Sequence, residues 1–343
     1  MKKLILLITT ALLVLVIVRY LPAKQQTLPL PVLPEGPVVL RVAYVVNPRL
    51  PKMSNEQLKI LLTATQKTAR DHFGIYIHFT PVVEIPIETL FHEIPESARL
   101  NAARHIYDFK KNQGNLYHLI NAFSKGLRQS DEPLAAMINY AQPYMKEPIE
   151  NSYESLGNAL ARIQLERIKQ WQSVKALDGK SVIDESTYNE YMMWDALSYG
   201  NMPYELVLTN QIIASTEDID PAVHTAIRGG YCNGVTFYNK QSRYGTYSVW
   251  STFAFSSDKE LKQIRSGEAY SPEEAAKLAG IGATHEIGHQ LFHFQHPYGN
   301  TACVMNPVPM FNYRSWTNKL SPKDCEIGSS PAMVAGSNKF TIH

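Results

Sequence analysis

Residues 285–296 read His-Glu-Ile-Gly-His-Gln-Leu-Phe-His-Phe-Gln-His and hold four of the chain's 11 histidines. The first five have the form HExxH. Two histidines four apart on a helix lie on one face and can grip one ion. Glu286, one residue on from the first of them, falls where water on that ion would sit. The chemistry implied is metal-assisted hydrolysis, with His285 and His289 as ligands of one catalytic Zn2+ and Glu286 as general base. The bland alternative is a chance pentapeptide on an exposed helix, where histidine pairs are common.

The surrounding sequence argues against chance. Ser271-Pro272-Glu273-Glu274 has the form of a capping box with proline at the first helical position. Ala275, Ala276, Leu278, Ala279, Ile281, Gly282 and Ala283 then lead into the motif. A helix so apolar and small belongs in a core, and histidines and a carboxylate buried there need a partner. A third ligand is offered by His296 or by His293. Pro297 disfavours helix for the residue before it, so His296 is expected to lie off the helix and to swing back towards the pair. On a continuous helix His293 would lie about 12 Å from His285. Zinc holds its nitrogens at only about 2.0–2.1 Å. The reading therefore favours His285, His289 and His296.

Seven residues after His296 comes Cys303-Val304-Met305-Asn306-Pro307, which puts Met305 nine residues after it. Here the chain resembles the metzincins, zinc endopeptidases whose pattern is HExxHxxGxxH followed by a methionine-containing turn. The archaemetzincins are most similar, since there a Cys-x-Met unit follows soon after the third histidine. The resemblance implies His285 and His289 as ligands, Glu286 as base and Met305 as the residue of the Met-turn. It is sharp over 285–305, looser over 40–85 and 203–305, and absent between. Two positions depart from the pattern: Phe292 stands where it has glycine and Gln295 where it has the third histidine. His296 fits if one residue has been inserted before the turn. Archaemetzincins also carry a four-cysteine zinc site. Cys232, Cys303 and Cys325 are the only cysteines here, so no such second site is expected.

A chain of 343 residues, 45% hydrophobic and 19% charged, can bury the core of one large domain or two. A formal net charge of +2 without a basic run excludes nucleic acid as the main partner. Met1-Lys2-Lys3 followed by the apolar run 4–18 reads as a signal peptide or N-terminal membrane anchor over 1–23. Residues 24–38, rich in proline and glutamine, read as a linker. The body is then extracytoplasmic, tethered to the membrane or released. There thiols oxidise, and Cys303–Cys325 is the pairing that would pin the Met-turn, although Cys232 is open to either partner.

The elements that must position the motif read as α+β. Val38 to Val46 is a strand. Ser54-Asn55-Glu56-Gln57 caps a helix to about His72 that Gly74 stops, and Ile75 to Ile87 is strand-like. Residues 39–95 thus form the N-terminal part of the catalytic domain. Residues 96–200 read as an inserted all-helical subdomain, for which a built-in inhibitor or lid over the cleft is one hypothesis. Residues 201–343 complete a zincin-like domain with a mixed twisted sheet and the HExxH helix. The strand-rich block 231–256 reads as a rim strand able to pair with an extended peptide, or as an ordinary edge hairpin. The function expected is a zinc peptidase acting on peptide or protein substrates, with Tyr298 and Tyr313 as candidate oxyanion donors. The rivals are a zinc-stabilised, non-catalytic envelope adaptor, a peptidase with Asp324 or Glu326 as third ligand, and a metal-free membrane protein.

Overall fold

The structure, a computed structural model, describes residues 24–92, 94–96, 116–130, 132–182, 190–200, 202–214, 222–256, 261–262, 264–265, 267–308 and 311–342. In chain order its strands and α-helices are β1 (Lys24–Thr27), β2 (Val38–Leu40), β3 (Val42–Val46), α1 (Asn55–Phe73), β4 (Ile77–Phe79), β5 (Val83–Pro86), α2 (Ile87–His92), α3 (Leu116–Leu127), α4 (Leu134–Ala141), α5 (Tyr153–Ser173), α6 (Glu190–Ala196), β6 (Leu206–Thr209), β7 (Ile213–Ala214), α7 (Val223–Ile227), β8 (Tyr231–Cys232), β9 (Gly234–Tyr238), β10 (Thr246–Ser251), α8 (Phe253–Ser256), α9 (Pro272–Phe292), α10 (Tyr313–Thr317) and β11 (Lys339–Ile342). The N-terminal apolar run lies outside the described residues. Among those described, no helix is long and apolar enough to cross a membrane.

A mixed five-stranded sheet in the order β5-β3-β6-β10-β9 organises the chain. Its first four strands are parallel, and β9 runs antiparallel along the edge. Side chains alternate between faces. Val42, Tyr44, Leu206, Leu208 and Trp250 join the core that α1 and α9 cover. Ala43, Val45, Val207, Tyr247 and Val249 join a second core with Leu90 of α2 and Trp194 of α6. Burial on both faces accounts for the unbroken apolar runs in β3 and β6.

The single strand expected over 38–46 is two. Arg41 gives its backbone N–H to Glu205 Oε2 at 2.7 Å, so that N–H is lost to a strand ladder. Its side chain holds the same buried carboxylate through Nε and Nη2 at 3.0 and 2.5 Å. β2 therefore pairs with β4, while β3 enters the main sheet. A second difference concerns 24–38, read as a linker: β1 pairs antiparallel with β11 at the other end of the chain.

Helix α1 has the full capping box of Ser54 and Gln57 and ends at Gly74 in the left-handed conformation. At α9 the box closes only by half. Ser271 accepts from the Glu274 N–H, but the Glu274 carboxylate is taken by Arg314 at 2.6 and 2.8 Å. Nearly every residue of α9 from Ala275 to Leu291 is buried, as a helix apolar on all sides requires. It lies against α1, where the Thr65 hydroxyl reaches Gly280 O at 2.9 Å.

The stretch expected as a helical subdomain contributes its helices to the same core as α9. Trp171 of α5 stacks on Tyr231 at 5.3 Å and meets Phe311 edge-on at 5.5 Å. Tyr140 of α4 meets Tyr298 edge-on at 4.8 Å and donates to Pro307 O at 2.6 Å. Residues 97–115 and 183–189, part of that expectation, lie outside the described residues.

Candidate metal centre

The turn after α9 decides which histidines meet. The helix runs through Phe292, and His293 takes φ 52 and ψ 43 at its C-terminus. It is the one non-glycine residue with positive φ among those described. The C-terminal segment locks this turn. Gly336 N–H donates to Phe292 O and Asn338 N–H to His293 O, each at 2.8 Å, and Gln295 N–H donates to Ala332 O at 2.8 Å. The His293 ring packs on Phe340 at 4.9 Å, away from the other histidines.

The chain reverses and brings His296 back to His285 and His289. The three Nε2 atoms lie 3.0, 3.0 and 2.9 Å apart. His285 Nδ1 faces Val304 O at 3.0 Å, and His289 Nδ1 faces Phe294 O at 2.6 Å. A carbonyl only accepts, so both Nδ1 atoms carry the proton and both Nε2 atoms present bare lone pairs. The 3.0 Å contact between those two Nε2 atoms is then acceptor against acceptor. Extra protons do not relieve it. Burial pushes all three imidazoles below the ordinary histidine range, and the neighbouring imidazoles push His285 and His296 further. His289 falls to about 4 through burial. A cation there would satisfy both lone pairs and could take the His296 Nε2 beside them as a third ligand. Tetrahedral zinc at 2.0–2.1 Å spaces its nitrogens about 3.3 Å apart, close to what is found. His285, His289 and His296 could thus hold one metal ion.

Glu286 stands beside this cluster. Thr236 on the edge strand donates to its Oε2 at 2.9 Å, which leaves Oε1 for other work. Ser248 of β10 donates to the Glu286 carbonyl at 3.3 Å. Burial raises the carboxyl to about 8, against the Thr236 hydrogen bond and the Arg228 charge, which lower it. Gly234 makes this approach of strand to helix feasible. A Cβ there would fall 2.6 Å from Glu286 Oε1 and from the Trp250 ring. Gln290 ties the same helix to the sheet by donating to Glu205 O at 2.8 Å.

Beneath the cluster, Met305 is fully buried against Gly288, where any Cβ would collide with its sulfur. Val304, its neighbour, supplies the carbonyl that fixes the tautomer of His285. A disulfide joins Cys303 to Cys325, 22 residues on, and Val304 N–H points at Cys325 Sγ at 3.0 Å. Closing a loop of that length stabilises the fold by about 3 kcal/mol in the chain-entropy view. Cys232 is buried and outside this bridge.

Two residues near the cluster carried no signal in the sequence. His224 of α7 meets the His296 ring edge-on at 4.7 Å and shares a 2.8 Å hydrogen bond with the Tyr298 hydroxyl. Arg228, four residues on, donates from Nε to His224 O at 3.1 Å. Of the expected oxyanion donors, Tyr298 is thus engaged with His224, and Tyr313 donates to Asn233 Oδ1 at 2.5 Å. Asp324 and Glu326 sit on and just after a short 3-10 turn and are not in the metal-ligating cluster. A cavity of about 290 Å³ opens onto the cluster, bounded by the edge strand β9 and by residues of β11. Comparisons with protein-family models, with curated proteins and with solved structures found no match to this chain.

Proposed function

We propose that this protein is a zinc-dependent peptidase of metzincin type that hydrolyses peptide bonds with Glu286 as general base. The observation that carries the reading is the convergence of three imidazole Nε2 atoms within 3.0 Å, beside a carboxylate with one free oxygen. Zinc held there supplies Lewis acidity, which acidifies water and polarises a scissile carbonyl. Glu286 Oε1 takes the proton of the attacking water and returns it to the leaving amine nitrogen, while Thr236 keeps the carboxylate aimed through Oε2. Among the described residues β9 is the outermost strand of its sheet and borders the cavity, which offers an extended substrate backbone groups to pair with.

The spacing of the turn supports the family reading. The metzincin pattern places its third histidine three residues after the turn glycine. Here the left-handed residue is His293, and His296 follows it by three. The inserted residue is then one more position of helix, and the turn-to-ligand spacing is kept. The adaptor reading has less support. A purely structural zinc takes four protein ligands, and only three gather among the described residues. The disulfide fits an extracytoplasmic location.

The test is hydrolysis of a mixed peptide library by the purified full chain. Cleavage should stop with a zinc chelator and return with added zinc. Cleavage that survives exhaustive chelation, or no cleavage by a zinc-loaded chain, would contradict the proposal.

A further inference from the structure

Among the described residues, Arg228 is a buried cation that no carboxylate pairs with. It ends α7 and is 3% exposed. Its carbonyl accepts from Trp171 Nε1 at 2.7 Å, which fixes the backbone, and Nε donates to His224 O at 3.1 Å, which fixes the side chain. Among the described residues that carbonyl is the only acceptor for the guanidinium, and no carboxylate pairs with it. A guanidinium has five N–H donors, so four remain to be satisfied. The Nη groups are not sealed in protein, so their donors are open to whatever enters the cavity.

The surroundings say what that is. Arg228 lines the cavity that His285, Glu286 and His296 also line. His224, one helical turn before it, packs on the ring of His296, and Arg228 Nε is hydrogen-bonded to the His224 carbonyl. The guanidinium charge is felt by His285, His296 and Glu286 alike. With a divalent cation on the three imidazoles, that cation and Arg228 together carry three positive charges against the one negative charge of Glu286. Among the described residues, the other two charged ones lining the cavity, Asp195 and Lys339, are opposite in sign and cancel. Counted over the described residues, the cavity so loaded is short of negative charge, and a fork of N–H donors matches a carboxylate in shape.

We propose that Arg228 binds a carboxylate of the substrate, so that this enzyme acts on peptides bearing a negative group close to the bond it cuts. The inference rests on the peptidase reading and deepens it. The carboxylate is either the C-terminal one or the side chain of Asp or Glu, and the chemistry at Arg228 is the same.

Binding separates this from activity. The probes are N-acetyl-Ala-Phe with a free C-terminus, its C-terminal amide, and N-acetyl-Ala-Glu amide. They are titrated by calorimetry into the zinc-loaded full chain carrying Glu286→Gln, in which cleavage should be too slow to consume the probes during a titration. At least one anionic probe should bind more than about 10-fold tighter than the neutral amide. Preference for the free acid identifies a C-terminal carboxylate, and preference for the glutamate peptide identifies an acidic side chain. Adding Arg228→Met should erase the preference while the neutral amide changes less than about 3-fold, and Arg228→Lys should restore part of it. Equal binding of all three probes by the Arg228-containing protein overturns the proposal without any further variant. So does an equal loss for charged and neutral probes in Arg228→Met, if Arg228→Lys shows it too. Failure of the wild-type chain to cut any peptide, with the anionic preference intact, would instead strike at the peptidase reading alone.

Discussion

Glu286→Gln should reduce kcat/KM on every peptide the wild type cuts by about 10²- to 10⁴-fold, the range for losing a positioned general base. It should leave zinc stoichiometry unchanged, because Glu286 is not among the three converging imidazoles. The same substitution should act on stability with the opposite sign. In the metal-free protein the buried carboxyl is raised from 4.5 to about 8. Between those values the folded chain keeps a proton that the unfolded chain has released. Stability of the metal-free wild type therefore falls as pH rises across that interval, and below about 4.5 the penalty vanishes. A neutral glutamine of the same shape escapes it. Metal-free Glu286→Gln should thus exceed wild type by several kcal/mol at pH 8 and match it near pH 4, as denaturant unfolding at the two pH values would reveal. A base held at the expense of stability is what a site built for chemistry is expected to show. Equal stability at both pH values would mean the carboxyl is solvated rather than enclosed.

The second large effect separates two histidines three residues apart. His296→Ala removes one of the three Nε2 atoms and should weaken zinc binding by well over about 100-fold, since even groups that merely orient ligands are worth 10- to 100-fold. His293→Gly should leave zinc affinity unchanged. The His293 ring faces Phe340, and its φ of 52 is one that glycine adopts without steric cost, so its stability loss should be confined to that ring contact. Competition against a fluorescent chelator measures both variants. Metal loss from the His293 variant with retention by the His296 variant would transfer the ligand role.

How far the sequence could be read depended on how local the deciding contact was. The helix of 55–73 was legible because Ser54, Gln57 and Gly74 act on their own neighbours. The helix carrying HExxH was legible for the same reason. The partner of Glu274 was not, because Arg314 arrives from 40 residues away. The break at Arg41 was hidden likewise, since the group that captures its N–H is Glu205, 164 residues on. Proline at 297 pointed to His296, but only the C-terminal segment shows why the turn holds: Asn338 and Gly336 bind the carbonyls that the ending helix exposes. The pairing of β1 with β11 joins residues as far apart as Lys24 and Ile342, and no local pattern encodes it. Thr236, His224 and Arg228 were invisible as site residues, because their types are ordinary and their meaning lies in what the fold sets beside them.

The most direct measurement is X-ray absorption at the zinc edge of the purified full chain, with zinc quantified on the same sample. One zinc per chain is expected, bound by three imidazole nitrogens at about 2.0–2.1 Å and one light atom from solvent. A chain that retains no zinc under conditions where it is folded, or a metal shell with sulfur or with fewer than three imidazoles, would contradict the assignment of His285, His289 and His296.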